Sequence, residues 1–307
     1  MKKKNIVFMG TPEFSLPVLK MLFDNYNVSL VVTQPDKKSG RDKKVCQSPV
    51  KKFAIDKNIP VFQPSKIKQD FEVLKNLDID LIVTCAYGQI LSKEILDLPK
   101  YGCINVHASL LPKYRGSAPI QWALFNNDKE TGVTIMYMDE GMDTGDIISM
   151  SKIAIDSDDN VGSLHDKLSI LGANALKETL PLVFKGEVKK EKQGPNYSIA
   201  PMIKRLDERL NFEMEGKKII GRIKGMNPWP LANIKINDLE IKVLEAEFVK
   251  AEKTNIGNII FEKNKMGITC KDGIIYLKKI KPSGKSIMNI ESFINGINKD
   301  NYKNIDK

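Results

Sequence analysis

Short apolar runs recur along the first two thirds of the chain, separated by segments whose apolar residues fall at helical spacing. Residues 5–9, 28–33, 80–86 and 102–106 are such runs. Each is almost continuously apolar, the pattern of a strand covered on both faces, as in a parallel sheet. Helical patterns lie between them: one through Leu16, Leu19, Met21 and Leu22, one over 50–56, one over 65–77 with Ser65 as its N-cap, and a short one before Pro99. A helix over 120–126 precedes two more predicted strands, 131–138 and 147–155, the second pairing back. A long helix over 160–184 carries Val161, Leu164, Leu168, Leu171, Ala175 and Leu176 on one stripe. This alternation predicts an α/β fold with a doubly wound, mostly parallel sheet, which binds ligands outside the carboxyl ends of its strands.

Beyond residue 185 the pattern changes. Residues 185–210 are polar and punctuated by Gly194, Pro195 and Pro201. A helix over 216–225 follows, then short strands over 232–236, 239–249, 257–262, 266–270 and 273–280, separated by Gly, Asn and Lys. Evenly spaced short strands with such turns predict a small OB-like β-barrel. The expected organisation is a catalytic domain over 1–189, a linker over 190–206 and a barrel domain over 207–307.

Charge adds a partner class to this outline. The 307 residues carry a formal net charge of +10, and the excess is local. Residues 36–52 hold seven basic and two acidic side chains, and residues 201–307 hold 21 basic and 14 acidic ones. Two readings are open: a polyanion touching both regions, or a genome rich in A and T that favours lysine. By composition 36–52 is a loop with Ser39, Gly40 and Arg41 at its middle. Arg41 offers a planar fork for phosphate or a base, and Lys37, Lys38, Lys43 and Lys44 offer point charges.

No stretch approaches the ~20 apolar residues of a membrane span, and the basic N-terminus reads on into a strand rather than a signal peptide. Cys46, Cys85, Cys103 and Cys270 are widely spaced and there are two histidines. That usage fits reduced thiols in a cytoplasmic protein, with no metal expected. At the first strand-to-helix turn Pro12 lacks an N–H and Glu13 is negative, which disfavours a phosphate there.

The candidate chemistry lies at 105–119. Asn105 and His107 are two apart, so on a strand they project from the same face. Asn105 can donate to an oxygen gaining negative charge. His107 can donate to that oxygen or act as acid or base. Asp143, in an acidic turn after the predicted strand 131–138, is expected at the same sheet edge. There it can orient the imidazole, favour its charged form or accept a proton through water. With no serine or cysteine nucleophile beside them, the set suits attack by an amine on an activated carbonyl; satisfying buried backbone near a loop is the plainer alternative. Ser109, Leu110, Leu111 and Pro112 make a stiff apolar wall with one hydroxyl. Gly141, Thr144 and Gly145 predict a tight loop allowing positive φ. His165, one residue off the stripe of its helix, reads as a satisfied or solvent-facing histidine.

Together these stretches resemble the folate-dependent formyltransferases. The matching motifs are N-x-H-x-S-L-L-P at 105–112, Y-R-G-x-A-P at 114–119 and D-x-G-x-D-T-G-D at 139–146. IVFMGTPEF at 6–14, TQPDKKSGR at 33–41, SPVK at 48–51 and MNPWP at 226–230 resemble the branch of that family acting on initiator methionyl-tRNA. The resemblance implies 10-formyltetrahydrofolate as formyl donor, Asn105, His107 and Asp143 as catalytic residues, and Ser109, Leu110, Leu111 and Pro112 as a folate-binding stretch. It also implies that the basic insert with Arg41 engages the acceptor arm of tRNA and that the second domain contacts tRNA. A monomer is expected. The alternatives are a formyltransferase for another amine (glycinamide ribonucleotide or an amino sugar), a folate-dependent hydrolase or dehydrogenase module, and a non-catalytic tRNA-binding relative.

Overall fold

The computed structural model describes residues 3–39, 44–252 and 255–306. Arg41 and Lys43 lie outside the described residues, so the expectation placed on them is carried by sequence alone. The chain divides into two compact units: one of residues 1–119, 130–154 and 165–201, the other of 120–129, 155–164 and 202–307.

The first unit is built on a seven-stranded sheet. Its strands are β1 (Asn5–Gly10), β2 (Asn27–Val32), β5 (Val61–Phe62), β6 (Leu81–Cys85), β7 (Cys103–His107), β8 (Glu130–Tyr137) and β9 (Ile147–Ala154), ordered β5-β2-β1-β6-β7-β8-β9. The pairs from β5 through β7 are parallel, while β7–β8 and β8–β9 are antiparallel. β1 and β6 are the most apolar runs and sit centrally: Ile6, Val7, Phe8, Met9, Leu81, Ile82 and Val83 are fully buried, as strands covered on both faces must be. The connecting helices are α1 (Leu16–Asn25), α2 (Pro49–Asp56), α3 (Glu72–Lys75) and α4 (Lys93–Leu96). α2 starts one residue ahead of its expected 50–56 span, with the Ser48 hydroxyl accepting from Lys51 N at 3.1 Å and Pro49 in the first turn.

Three local expectations are corrected. The helix expected over 65–77 shrinks to α3, and Ser65 caps nothing. Gln89 reaches across instead, accepting from Ile67 N and donating to Pro64 O and Ser65 O. Gln89 thereby takes the Ile67 N–H that a Ser65 cap would have bonded. The basic segment is not simply loop: Lys37–Ser39 (β3) and Lys44–Cys46 (β4) pair antiparallel. Its base is tied down by Asp36, which accepts from Lys51 Nζ at 2.6 Å and Gln63 Nε2 at 2.9 Å. The Lys51 hydrogen bond, then that from Gln63, holds the Asp36 carboxyl below its usual range. Finally, β8 runs against β7, with Ile104 opposite Tyr137 and His107 opposite Thr134. The acidic turn therefore leaves the sheet near the start of β7, not at the expected carboxyl edge.

The second unit holds α5 (Pro119–Phe125) except its first residue, the first turn of α6 (Val161–Lys185), α7 (Gly216–Gly225) and α8 (Ile290–Asn295). Its antiparallel sheet comprises β10 (Ala232–Ile236), β11 (Leu239–Lys250), β12 (Ile259–Glu262), β13 (Lys265–Cys270) and β14 (Gly273–Pro282), ordered β10-β11-β14-β13-β12, with β15 (Met288–Asn289) beside β14. The C-terminal segment links the two end strands. Asp306 N donates to Lys235 O of β10, and Ile259 N of β12 donates to Lys303 O. The C-terminal segment thereby covers part of each end strand of this antiparallel sheet, over a core that includes Phe212, Ile219, Ile223, Ile234, Ile268 and Phe293.

Candidate active site

β7 presents Asn105 and His107 from one face, and the 139–146 turn folds back to bring Asp143 over them. Asn105 Nδ2 donates to Asp143 Oδ1 at 3.3 Å, and His107 Nδ1 lies 3.5 Å from the same oxygen. Asp143 Oδ2 accepts from Gly116 N at 2.8 Å. The three residues expected to meet do meet, and His107 is buried while Asn105 and Asp143 stay partly open.

Hydrogen-bond direction fixes how each group is turned. Thr84 Oγ1 donates to Asn105 Oδ1 at 2.8 Å, so the amide oxygen faces β6 and the NH₂ faces the site. One NH₂ hydrogen goes to Asp143; the other is left for an oxygen acceptor. His107 Nε2 lies 2.9 Å from Tyr114 O. A carbonyl only accepts, so Nε2 carries a hydrogen and Nδ1 is the nitrogen beside the carboxylate. This narrows the reading of His107, whose Nε2 is committed to the backbone.

The neighbouring turn is built from the sheet as well. Thr134 Oγ1 of β8 donates to Ser109 O at 2.6 Å and accepts from Leu111 N at 3.1 Å. Ser109 is fully buried and its hydroxyl donates to Lys113 O at 2.6 Å. Ser109 thus shapes the turn and turns no hydroxyl outward, contrary to the expected wall with one hydroxyl. Leu111 is buried, whereas Leu110 and Pro112 remain partly exposed. Lys37, on β3, is exposed.

The glycines of the acidic turn act through space rather than through φ. Positive φ falls on Asp143 itself, at 55°, not on Gly141 or Gly145. A Cβ on Gly141 would lie 2.0 Å from Thr144 Oγ1, and one on Gly145 2.0 Å from Tyr137 O. The turn is further stiffened by Asp139 Oδ1, which accepts from Gly141 N at 3.0 Å and Thr144 Oγ1 at 2.6 Å.

Strand spacing by itself does not point to Thr84, Tyr114 or Gly116 as site residues, although Tyr114 and Gly116 belong to the Y-R-G segment at 114–116. Gly116 has φ +118°, and a Cβ there would meet Ala200 O at 2.8 Å. A glycine close behind the N-x-H motif was the signal available for it. His165 is satisfied as expected, with Nδ1 2.9 Å from Asp166 Oδ1 and its ring edge-on to Phe14.

No thiol near the site competes as a nucleophile. Burial pushes the Cys85 thiol up to about 12 and raises that of Cys103 as well, far from the thiolate that covalent chemistry needs. Among the described residues no group of three or more His, Cys, Asp or Glu side chains could hold a metal ion. No helix among them is long and apolar enough to cross a membrane.

An amide and an imidazole on one strand thus face a loop carboxylate at the edge of an α/β sheet. The family model described as formyl transferase matches residues 3–180, and that of the formyl transferase C-terminal domain matches 202–298; the chain belongs to the formyl transferase family. It is similar to the methionyl-tRNA formyltransferase of Clostridium acetobutylicum, 47% identical over 301 residues, covering 96% of this chain and 97% of that protein. The enzyme of the same name from Bacillus velezensis is 47% identical over 300 residues, with 95% of each chain covered.

Among solved structures, the sugar 3N-formyl transferase WlaRD, determined in the presence of dTDP and 5-N-formyl-THF, superposes with a TM-score of 0.68. It is 22% identical, and the match covers 93% of this chain and 100% of that one. An N-formyltransferase from Helicobacter canadensis gives 0.67 at 20% identity, covering 90% and 98%. These two likenesses establish the fold.

Proposed function

We propose that this chain transfers a formyl group from 10-formyltetrahydrofolate to the α-amino group of initiator methionyl-tRNA. The observation that carries this reading is the meeting of Asn105 and His107 with Asp143, in a chain nearly half identical to enzymes named for that reaction. The bound folate supplies a formyl carbonyl on nitrogen, open to attack by an amine. The residues present fit such a donor: Leu110 and Pro112 are partly open apolar side chains next to the site, and Met142, beside Asp143, is 49% exposed.

The free hydrogen on Asn105 Nδ2 points at an oxygen gaining negative charge, with the amide held by Thr84 so that no reorientation is needed. As the amine bonds to the formyl carbon and that carbon's bond to the folate nitrogen breaks, releasing tetrahydrofolate, the proton lost by the amine is held at His107 Nδ1, next to Asp143 Oδ1, and returns to the departing nitrogen. Ser109 and Leu111 keep the turn in shape, while Leu110 and Pro112 form the wall for the folate. Arg41, with Lys37, Lys38, Lys43 and Lys44, engages the acceptor arm. On the second unit, Lys217, Lys218 and Lys271 are exposed. The second domain, whose residues 201–307 hold 21 basic and 14 acidic side chains, contacts the tRNA elsewhere. A small-amine acceptor gives no reason for these charges, and Pro12 and Glu13 speak against a phosphorylated one. The protein acts in the cytoplasm as a monomer.

The deciding assay incubates the protein with 10-formyltetrahydrofolate and methionyl-tRNA and looks for formyl-methionyl-tRNA, with glycinamide ribonucleotide and an amino sugar as rival acceptors. Formylation of a rival alone overturns the reading. Binding of tRNA is expected to weaken steeply with salt, each phosphate contact contributing a log–log slope of roughly 0.7–0.9. Arg41→Ala is expected to flatten that slope by about one contact and to leave folate binding unchanged; an unaltered salt profile removes Arg41 from the interface.

Thr84→Val keeps the shape of a buried residue and deletes the donor that turns Asn105. One hydrogen bond of about 1–1.5 kcal/mol corresponds to a kcat lower by roughly tenfold. Steady-state kinetics at saturating substrates check it, and an unchanged kcat means that Asn105 is oriented by something else.

A further inference from the structure

The segment between the two family matches, 181–201, holds a side chain that grips the catalytic turn from behind. Gln193 Nε2 donates to Asp143 O and to Gly145 O, both at 2.8 Å. Gln193 Oε1 accepts from Arg115 Nε at 3.0 Å and from Arg115 Nη2 at 2.7 Å. Arg115 is itself buried, with its guanidinium 4.6 Å from the Tyr197 ring centroid. Every member of this chain of contacts lies in the first unit.

The geometry points to Gln193 as a positioning residue for the proposed formyl transfer, aligned by Arg115 and acting through Asp143. The orientation of its amide is forced. Guanidinium nitrogens only donate and backbone carbonyls only accept, so the Gln193 oxygen must face Arg115 and its NH₂ must face the turn. No other uncharged or charged side chain of this length meets both demands. A glutamate would set a second acceptor against Asp143 O and Gly145 O, and a methionine would leave both carbonyls and the buried guanidinium without these partners.

Asp143 needs such a grip. Its φ of 55° lies in the left-handed region, which an aspartate adopts when local hydrogen bonds hold it there. Gly116 N and Asn105 Nδ2 hold the carboxylate, and Gln193 holds the backbone on either side of Thr144. The supporting segment is stitched down at both ends. Glu191 exchanges two hydrogen bonds with Ile147 at the start of β9. Ser198 and Ala200 run beside 112–118, with Arg115 N donating to Ser198 O at 2.9 Å and Ala200 N to Arg115 O at 2.7 Å. Gln193 therefore reaches the turn from an anchored segment.

The inference rests on the formyl transfer proposed above, and its test separates the two. Wild-type protein is first assayed for formyl transfer to methionyl-tRNA; no product there fails the proposed function and leaves Gln193 without a reaction to serve. With active wild type, Gln193→Met is expected to lower kcat by roughly 10- to 100-fold, the scale of a 1 Å misplacement of a reacting group. KM for both substrates should stay within about twofold, since positioning acts on the reacting geometry rather than on uniform binding.

The decisive arm is a double-mutant cycle in single-turnover mode with excess enzyme. If Gln193 works through Asp143, Gln193→Met placed on Asp143→Asn costs nothing further; independent, multiplicative losses overturn the inference. Arg115→Leu should share the Gln193→Met loss without adding to it. Gln193→Glu should be no better than Gln193→Met despite its size. Recovery of wild-type kcat by the glutamate overturns the forced orientation. A loss confined to thermal stability, with kcat unchanged, assigns Gln193 a structural role only and likewise overturns the inference.

Discussion

Asp143→Asn is expected to lower kcat by roughly 10²–10⁴-fold with the fold intact. The substitution is isosteric, and asparagine is among the few residues that tolerate the left-handed conformation Asp143 adopts at φ 55°. Its side-chain oxygen can still accept from Gly116 N, as Asp143 Oδ2 does at 2.8 Å. What disappears is the negative charge 3.5 Å from His107 Nδ1 and the acceptor for Asn105 Nδ2. An asparagine NH₂ turned toward Asn105 would set donor against donor, so the pair proposed to hold the amine's proton is lost without a packing defect. The measurements are kcat at saturating substrates, tRNA affinity and thermal midpoint. A variant with wild-type kcat would remove Asp143 from the mechanism, and one that loses its fold would show that the carboxylate is structural.

The second large effect needs no charge at all. Gly145→Ala places a Cβ 2.0 Å from Tyr137 O and 2.9 Å from the carbonyl carbon behind it. Both are backbone atoms at the end of β8, which cannot swing aside as a flexible side chain would. The 139–146 turn must shift instead, carrying Gly145 O away from Gln193 and Asp143 away from His107. A displacement near 1 Å is expected to cost about 100-fold in kcat, and the forced repacking about 1–3 kcal/mol of stability. Gly186→Ala is the contrasting control. Gly186 has φ +74° with nothing within 4 Å of its added Cβ. There the change carries backbone strain of about 1–2 kcal/mol and leaves kcat alone. Denaturant unfolding together with initial rates distinguishes the two glycines. Equal effects on activity would mean that the site is not sensitive to the turn's position.

Much of this site was legible before folding because strand geometry is local. Residues two apart share a face, so Asn105 and His107 could be paired from their spacing alone. The apolar runs at 5–9 and 80–86 likewise predicted buried central strands, because a strand covered on both faces has no polar side to show. The evenly spaced short strands after residue 230 predicted a small OB-like β-barrel, and a separate antiparallel β-sheet domain is found there. Of the helix expected over 65–77 only a turn at 66–70 and α3 form, and Gln89, 22 residues from Ile67, takes the N–H that Ser65 was expected to cap. No window of local propensity contains that competitor.

The sequence by itself determined which chemical groups are available and which neighbours along the chain share a face. It supplied an amide, an imidazole and a carboxylate, together with the glycines that permit a tight turn. Only the tertiary structure decided how those groups are aimed. Asn105 and Asp143 are 38 positions apart, and β8 leaves the sheet at the end away from His107, so their contact depends on the fold-back of the turn. The choice of His107 Nδ1 follows from Tyr114 O, and the turn's grip from Gln193. The physical reason is that hydrogen bonds have direction and short range. A residue's chemistry is written in its side chain, but its donor or acceptor role is set by partners that only folding brings within 3 Å.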